Sequence, residues 1–141
     1  MKLTSHSPAE TQEIAARVAK RLGVNVIALE GELGVGKTTF VKGFARALGV
    51  KQKITSPTFV IMKSYKLKAI SYKLLYHIDA YRLKDHRELE KLGVEELFND
   101  PENIVLIEWS DRVRQALPEK YISVHIDHLK ERKRLIKISD V

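Results

Sequence analysis

The sequence predicts a three-layer α/β domain whose mainly parallel sheet carries antiparallel additions, and three observations lead there. An apolar, β-branched run at 24–30 (VNVIALE) leads straight into a glycine-rich segment and then a helix-compatible stretch. A second run at 104–108 (IVLIE) is apolar enough for a strand covered on both faces. Segments 121–129 and 134–139 alternate as the two arms of a terminal hairpin do. At 141 residues and 44% hydrophobic content, 1–141 fits one domain with its own core.

Each element has a local reason. Ser7 as N-cap, Pro8 in the first helical position and Glu10 reaching back predict a helix over 8–22. Its apolar face is Ile14, Ala15, Val18 and Leu22, and Gly23 ends it. After the strand at 24–30, residues 38–48 read as a helix closed by Gly49. Segments 58–65 and 74–79, joined by a short basic connection, predict an antiparallel hairpin beside the parallel core. Residues 86–98 read as one helix with a weak point at Gly93, and Leu117-Pro118 breaks the chain before the terminal hairpin.

Composition narrows the chemistry. The chain has no cysteine, which excludes disulfides, thiolate metal sites and cysteine nucleophiles. Its first residues, MKLTSHSPAE, lack an apolar signal core, and no stretch reaches the roughly 20 apolar residues of a membrane span, so a soluble, cytoplasmic protein is expected. The formal charge is +7, which suits RNA, an acidic protein or nucleotide phosphates. The basic residues are scattered and only 130–134 (KERKR) is dense, which favours a solvated surface over a dedicated nucleic-acid patch.

The strongest chemical signal is G-x-x-x-x-G-K-[ST], met by Gly31, Gly36, Lys37 and Thr38 between the predicted strand and helix. In such a loop, backbone N–H groups curl around phosphates at a helix N-terminus, where free donors and the helix dipole favour negative charge. Glu32, Leu33, Gly34, Val35, Gly36, Lys37, Thr38 and Thr39 would form this segment. Lys37 would reach the β- and γ-phosphates and the Thr38 hydroxyl would ligate Mg²⁺. The fold expected is therefore that of P-loop NTPases, with a nucleoside triphosphate and Mg²⁺ at the strands' C-terminal edge.

Such a site also needs an acid at a neighbouring strand end. Asp79 ends LLYHID and Glu108 ends IVLIE. Glu108 follows the purer buried strand and is assigned to Mg²⁺; Asp79 then orients or deprotonates water, or else pairs with Arg82 or Arg112. Ser56 and Thr58, in TSPTF, sit where a γ-phosphate-sensing loop would lie, although Ser-Pro by itself reads as an ordinary turn. His77, Tyr81 and Arg82 cluster around Asp79, and Trp109 reads as rim or core packing.

In order along the chain, GELGVGKTT (31–39), SPTF (56–59), HIDAYRL (77–83) and IEWSDRV (107–113) together resemble the TsaE family, formerly YjeE, over nearly the whole sequence. After Val113 the sequence departs from the family's motifs. The resemblance implies an ATPase of tRNA threonylcarbamoyladenosine (t6A) synthesis, with weak intrinsic activity, acting with the TsaB and TsaD proteins. Hydrolysis would drive turnover of that complex, and tRNA would be met only through it. The resemblance also gives Thr38 and Glu108 the magnesium roles, supplies the second acid from the block holding Asp79, implies adenine preference, and sets Glu10 and Thr11 near the base. Two other classes stay open: a small-molecule or nucleotide kinase using the same loop, and a nucleotide-gated module holding RNA by its positive surface.

Overall fold

A computed structural model describes residues 1–32, 34–55, 61–68 and 71–140. Among these, seven strands form one sheet: β1 (Lys2–Ser5), β2 (Val26–Glu30), β3 (Met62–Lys66), β4 (Leu74–Asp79), β5 (Asn103–Glu108), β6 (Ile122–His128) and β7 (Arg134–Asp140). The helices are α1 (Pro8–Lys20), α2 (Lys37–Ala47), α3 (His86–Glu90) and α4 (Val94–Asn99), with 3-10 helices at Ser110–Ala116 and Lys130–Arg132. The sheet order is β1-β7-β6-β2-β5-β4-β3. Its centre, β6-β2-β5-β4, is parallel, while β3 on one side and β7 with β1 on the other are antiparallel.

Period-two alternation divides the core. On β5, Ile104 and Leu106 join Ile27, Leu29, Phe40 and Phe44 beneath α1 and α2. Val105 and Ile107 face the other way, with Val26, Ile78, Leu89 and Phe98 against α3 and α4. That arrangement is the three-layer domain expected from the apolar runs. Every residue of β5 is buried, at about 1.5–3 kcal/mol for each large apolar side chain.

The cap of α1 forms as its sequence predicts, with Ser7 Oγ accepting the Glu10 N–H at 3.1 Å. The Glu10 carboxylate reaches back one residue further than a capping box requires and accepts the His6 N–H at 2.8 Å. α1 stops at Lys20, two residues before the predicted end. α1 and α2 pack at very close range: a Cβ on Gly43 would lie 2.5 Å from both the Cα and the carbonyl oxygen of Gln12. Gly43→Ala is therefore expected to destabilise the fold by about 1–3 kcal/mol. A fall of several degrees in Tm would record it; an unchanged Tm would mean that the helices separate without cost.

Two predicted elements are corrected. Residues 86–98 are two short helices, because the chain turns at Gly93, where φ is 78°. The strand predicted from residue 58 begins at Met62, and Ser56 and Thr58, together with Leu33, lie outside the described residues. β1 and the two 3-10 helices are additions that the sequence did not announce. No helix among the described residues is long and apolar enough to cross a membrane.

Candidate functional site

Three parallel strands end at one edge and bring their C-terminal residues together. The loop after β2 leads into α2, Asp79 ends β4 and Glu108 ends β5. A cleft of about 340 Å³ opens there, lined by Gly34, Gly36, Lys37, Thr38, Thr39, Asp79, Glu108 and Trp109. Glu32 and Val35 instead line an adjoining hollow of about 420 Å³ with residues of β6, β7 and their connection. Thr11 lines neither; it is buried and its hydroxyl lies 2.6 Å from that of Ser5, whose own proton goes to the Ser7 carbonyl.

Glycine is required in the loop on steric grounds. Gly36, the residue before α2, has φ of 108°, and no side chain caps the helix. A Cβ on Gly31 would stand 2.6 Å from the Ile126 carbonyl oxygen and 2.9 Å from Val35 Cγ1. The first turn of α2 thus meets the cleft with donors that have no acceptor within the helix, an arrangement receptive to anions. Lys37 is only 6% exposed, and its Nζ donates to the Gly31 and Glu32 carbonyls. Burial lowers its pKa, against the opposing fields of Glu108, Asp79, Asp111 and Glu32. The result is a partly desolvated cation held by its own loop.

Asp79 and Glu108 are direct partners in the register of β4 and β5. Glu108 is buried and lies 2.6 Å from His77 Nε2. His77 is wholly buried, and its Nδ1 has no partner among the described residues. The tautomer with the proton on Nε2 fits, since it donates to the carboxylate and leaves no N–H unmet. Asp79 is pushed above the ordinary carboxylate range, first by burial and then by Glu108; the Tyr81 N–H bond, His77 and Lys37 pull the other way. Two carboxylates placed side by side favour a cation between them and the loop. No three His, Asp or Glu side chains converge on an ion site among the described residues. Thr38 and Glu108 line the same cleft and would suit a Mg²⁺ whose other ligands were phosphate oxygens and water.

Trp109, expected as rim or core packing, is a wall of the cleft. It has φ of 57°, a conformation costing on the order of 1–3 kcal/mol for such a side chain. Its ring lies 4.1 Å from Lys37 Nζ and 5.0 Å from the Tyr81 ring. Arg112, an alternative partner for Asp79, lies over both rings, at 4.9 Å from Tyr81 and 5.4 Å from Trp109. Directly following a strand-end acid was the one sequence signal this tryptophan offered.

Further residues brace the loop from the β6–β7 side and were not foreseen. Glu30, at the end of β2, pairs with His125 at 2.7 Å and Arg114 at 3.0 Å, and His125 Nε2 lies 2.8 Å from Asp127. Partial burial would lower the His125 pKa, but the bonds to Glu30 and Asp127 and their charges outweigh it and raise the pKa. Arg134 Nε donates to the Val35 carbonyl at 2.9 Å. Ser110 Oγ donates to the Leu29 carbonyl at 3.3 Å, fastening its 3-10 helix to β2.

Residues 5–136 match the family model described as "Threonylcarbamoyl adenosine biosynthesis protein TsaE". A Bacillus subtilis protein named tRNA threonylcarbamoyladenosine biosynthesis protein TsaE is 38% identical over 143 aligned positions, covering 100% of this chain and 86% of that protein. A protein of the same name from Treponema pallidum is 34% identical, covering 99% of this chain and all of its own length. The crystal structure of Bacillus subtilis YdiB superposes with a TM-score of 0.80 at 32% identity, over 98% of this chain and 83% of that one. With its glycine loop and its paired strand-end acids both within the matched residues, the chain belongs to the TsaE family.

Proposed function

We propose that this chain is a Mg²⁺-dependent P-loop ATPase of tRNA threonylcarbamoyladenosine biosynthesis, acting in the cytoplasm with TsaB and TsaD to drive turnover of the modification complex. One observation carries the reading: Lys37, Thr38, Asp79 and Glu108, from α2, β4 and β5, line one cleft. Relatives named for t6A biosynthesis support the pathway.

In this reading the triphosphate displaces the Gly31 and Glu32 carbonyls from Lys37, which exchanges backbone partners for phosphate oxygens. The first-turn amides of α2, with the backbone at Gly34 and Gly36 on the wall of the same cleft, receive the remaining phosphate charge. Thr38 and Glu108 would hold Mg²⁺, which when bound neutralises charge developing on the transferred phosphoryl group. His77 holds Glu108 in place through its 2.6 Å hydrogen bond. Asp79, on the adjacent strand, orients the attacking water or takes its proton. Trp109 covers the side of the cleft beside Lys37 and limits water around it.

Calorimetric titration with Mg²⁺·ATP, followed by phosphate-release assays with and without TsaB, TsaD and tRNA, tests the reading. Saturable heat, slow turnover alone and faster turnover with the partners are expected. Absence of heat from folded protein, or turnover indifferent to the partners, would reject it. A narrower expectation concerns the second acid. Asp79→Asn keeps its acceptor for the Tyr81 N–H, so triphosphate affinity should stay within about twofold while turnover falls by about 100-fold or more. Turnover unchanged in that variant would reduce Asp79 to a structural group.

A further inference from the structure

The positive charge of the chain is placed more unevenly than the scattered basic residues imply, because the acids are what is segregated. Residues 33–78 contain nine Lys or Arg and no Asp or Glu. The rest of the chain then holds 16 Lys or Arg against 18 Asp or Glu, so the whole formal excess of +7 comes from this one segment. In the fold, much of the segment converges at the C-terminal end of α2 and the edge strand β3. Lys42 and Arg46, one turn apart on α2, line a shallow hollow of about 400 Å³ with Lys51 and Lys53. Lys63, on β3, donates to the Thr55 hydroxyl at 2.6 Å, two residues past Lys53. Lys68 packs its Cβ 3.2 Å from where a Cβ of Gly49 would be. None of the ion pairs among the described residues involves any of these six.

We propose that this surface binds the phosphate backbone of RNA directly, as a site distinct from the cleft at the other end of α2. Helix geometry puts the two ends of this 11-residue helix roughly 16 Å apart. Six cations outside every ion pair among the described residues repel one another, and a polyanion offsets that repulsion while releasing its own counterions. The apolar residues of the hollow, Val50 and Ile54, are buried beneath the charges. The large hydrophobics exposed among the described residues are Met1, Tyr81, Leu92 and Leu129, all outside the patch. A membrane site would present apolar side chains for insertion, and a protein interface would present an aromatic or aliphatic anchor. Cations on long stems, with no exposed ring among the described residues of the patch to stack on a base, are suited to backbone contact without sequence readout. The inference stands apart from the triphosphate reading, since it uses none of the residues of the cleft.

The test is fluorescence anisotropy of labelled, unfractionated tRNA titrated with the full chain, without nucleotide, at several KCl concentrations. Saturable binding that weakens steeply with salt is expected. The double variant Lys51→Gln with Lys53→Gln should weaken it about tenfold or more and reduce the salt slope by about two, one for each phosphate no longer neutralised. Lys42→Gln with Arg46→Gln should act alike, whereas Lys130→Gln with Arg132→Gln, in the locally dense KERKR segment, should leave binding unchanged. The proposal fails if tRNA does not bind at low salt, or if the 130/132 variant alone loses binding. It fails equally if phosphatidylserine vesicles or polyglutamate bind as tightly as tRNA.

Discussion

Lys37→Ala is expected to reduce triphosphate affinity by about 100-fold or more, with little change in fold stability. The two halves of this expectation have different origins. In the structure Lys37 is nearly buried, and its ammonium is satisfied by two backbone carbonyls and the face of Trp109. Burial opposes the charge enough to lower its pKa, so the folded chain gains little from keeping a cation there. Removing it frees two carbonyls at the edge of an open cleft, where water replaces the missing donor. Binding is different, because an incoming phosphate loses a charge-assisted hydrogen bond worth about 1.5–3 kcal/mol and the opposite charge behind it. Titration calorimetry measures the affinity and a thermal melt the stability. The chain's single tryptophan adds an internal check. With Nζ only 4.1 Å from the Trp109 ring, the substitution should shift the emission of the nucleotide-free protein itself. Wild-type affinity in this variant would remove Lys37 from the site and the proposed chemistry with it.

The parts of this architecture that could be read from the sequence are those where one local property decides the outcome. Strands β2 and β5 are buried on both faces, so their apolar runs are unbroken and their ends are marked by the first charge, Glu30 and Glu108. The loop was legible for a related reason, since its glycines and Lys37 serve a fixed backbone shape. β1 was not, because KLTS carries no apolar alternation; it is a strand only because β7 offers an edge, with Leu3 opposite Ile136. The division at Gly93 comes from a positive φ of 78° that glycine adopts without cost, at a residue the pattern marks only as weak. For the site, the sequence supplied both acids, while their side-by-side register and the His77 bond to Glu108 arise from long-range strand pairing. Trp109 escaped for the same kind of reason. A period-two reading ends with β5, and the turn of the chain to positive φ at the next residue swings this ring across Lys37.

The second large effect is expected at Glu108, and here two substitutions separate chemistry from architecture. Glu108→Ala should lower Mg²⁺-dependent turnover by about 100-fold or more, equivalent to about 3 kcal/mol of barrier, and should destabilise the protein as well. The destabilisation follows from His77, which is wholly buried, already has one nitrogen without a partner among the described residues and would lose the acceptor of the other. A buried N–H left unmet costs about 1–3 kcal/mol, which a melt would show as a drop of several degrees in a chain of this size. Glu108→Gln changes only the first of these. Its amide oxygen still accepts from His77 Nε2, so Tm should stay close to that of the natural chain, while an uncharged oxygen binds Mg²⁺ far less well and turnover should fall almost as far as in the alanine variant. Abolished turnover at preserved Tm would assign the charge of Glu108 to the reaction and its shape to the fold. Turnover retained in Glu108→Gln would leave the carboxylate as the acceptor for a buried histidine and nothing more, and the metal role would have to pass to its neighbour Asp79.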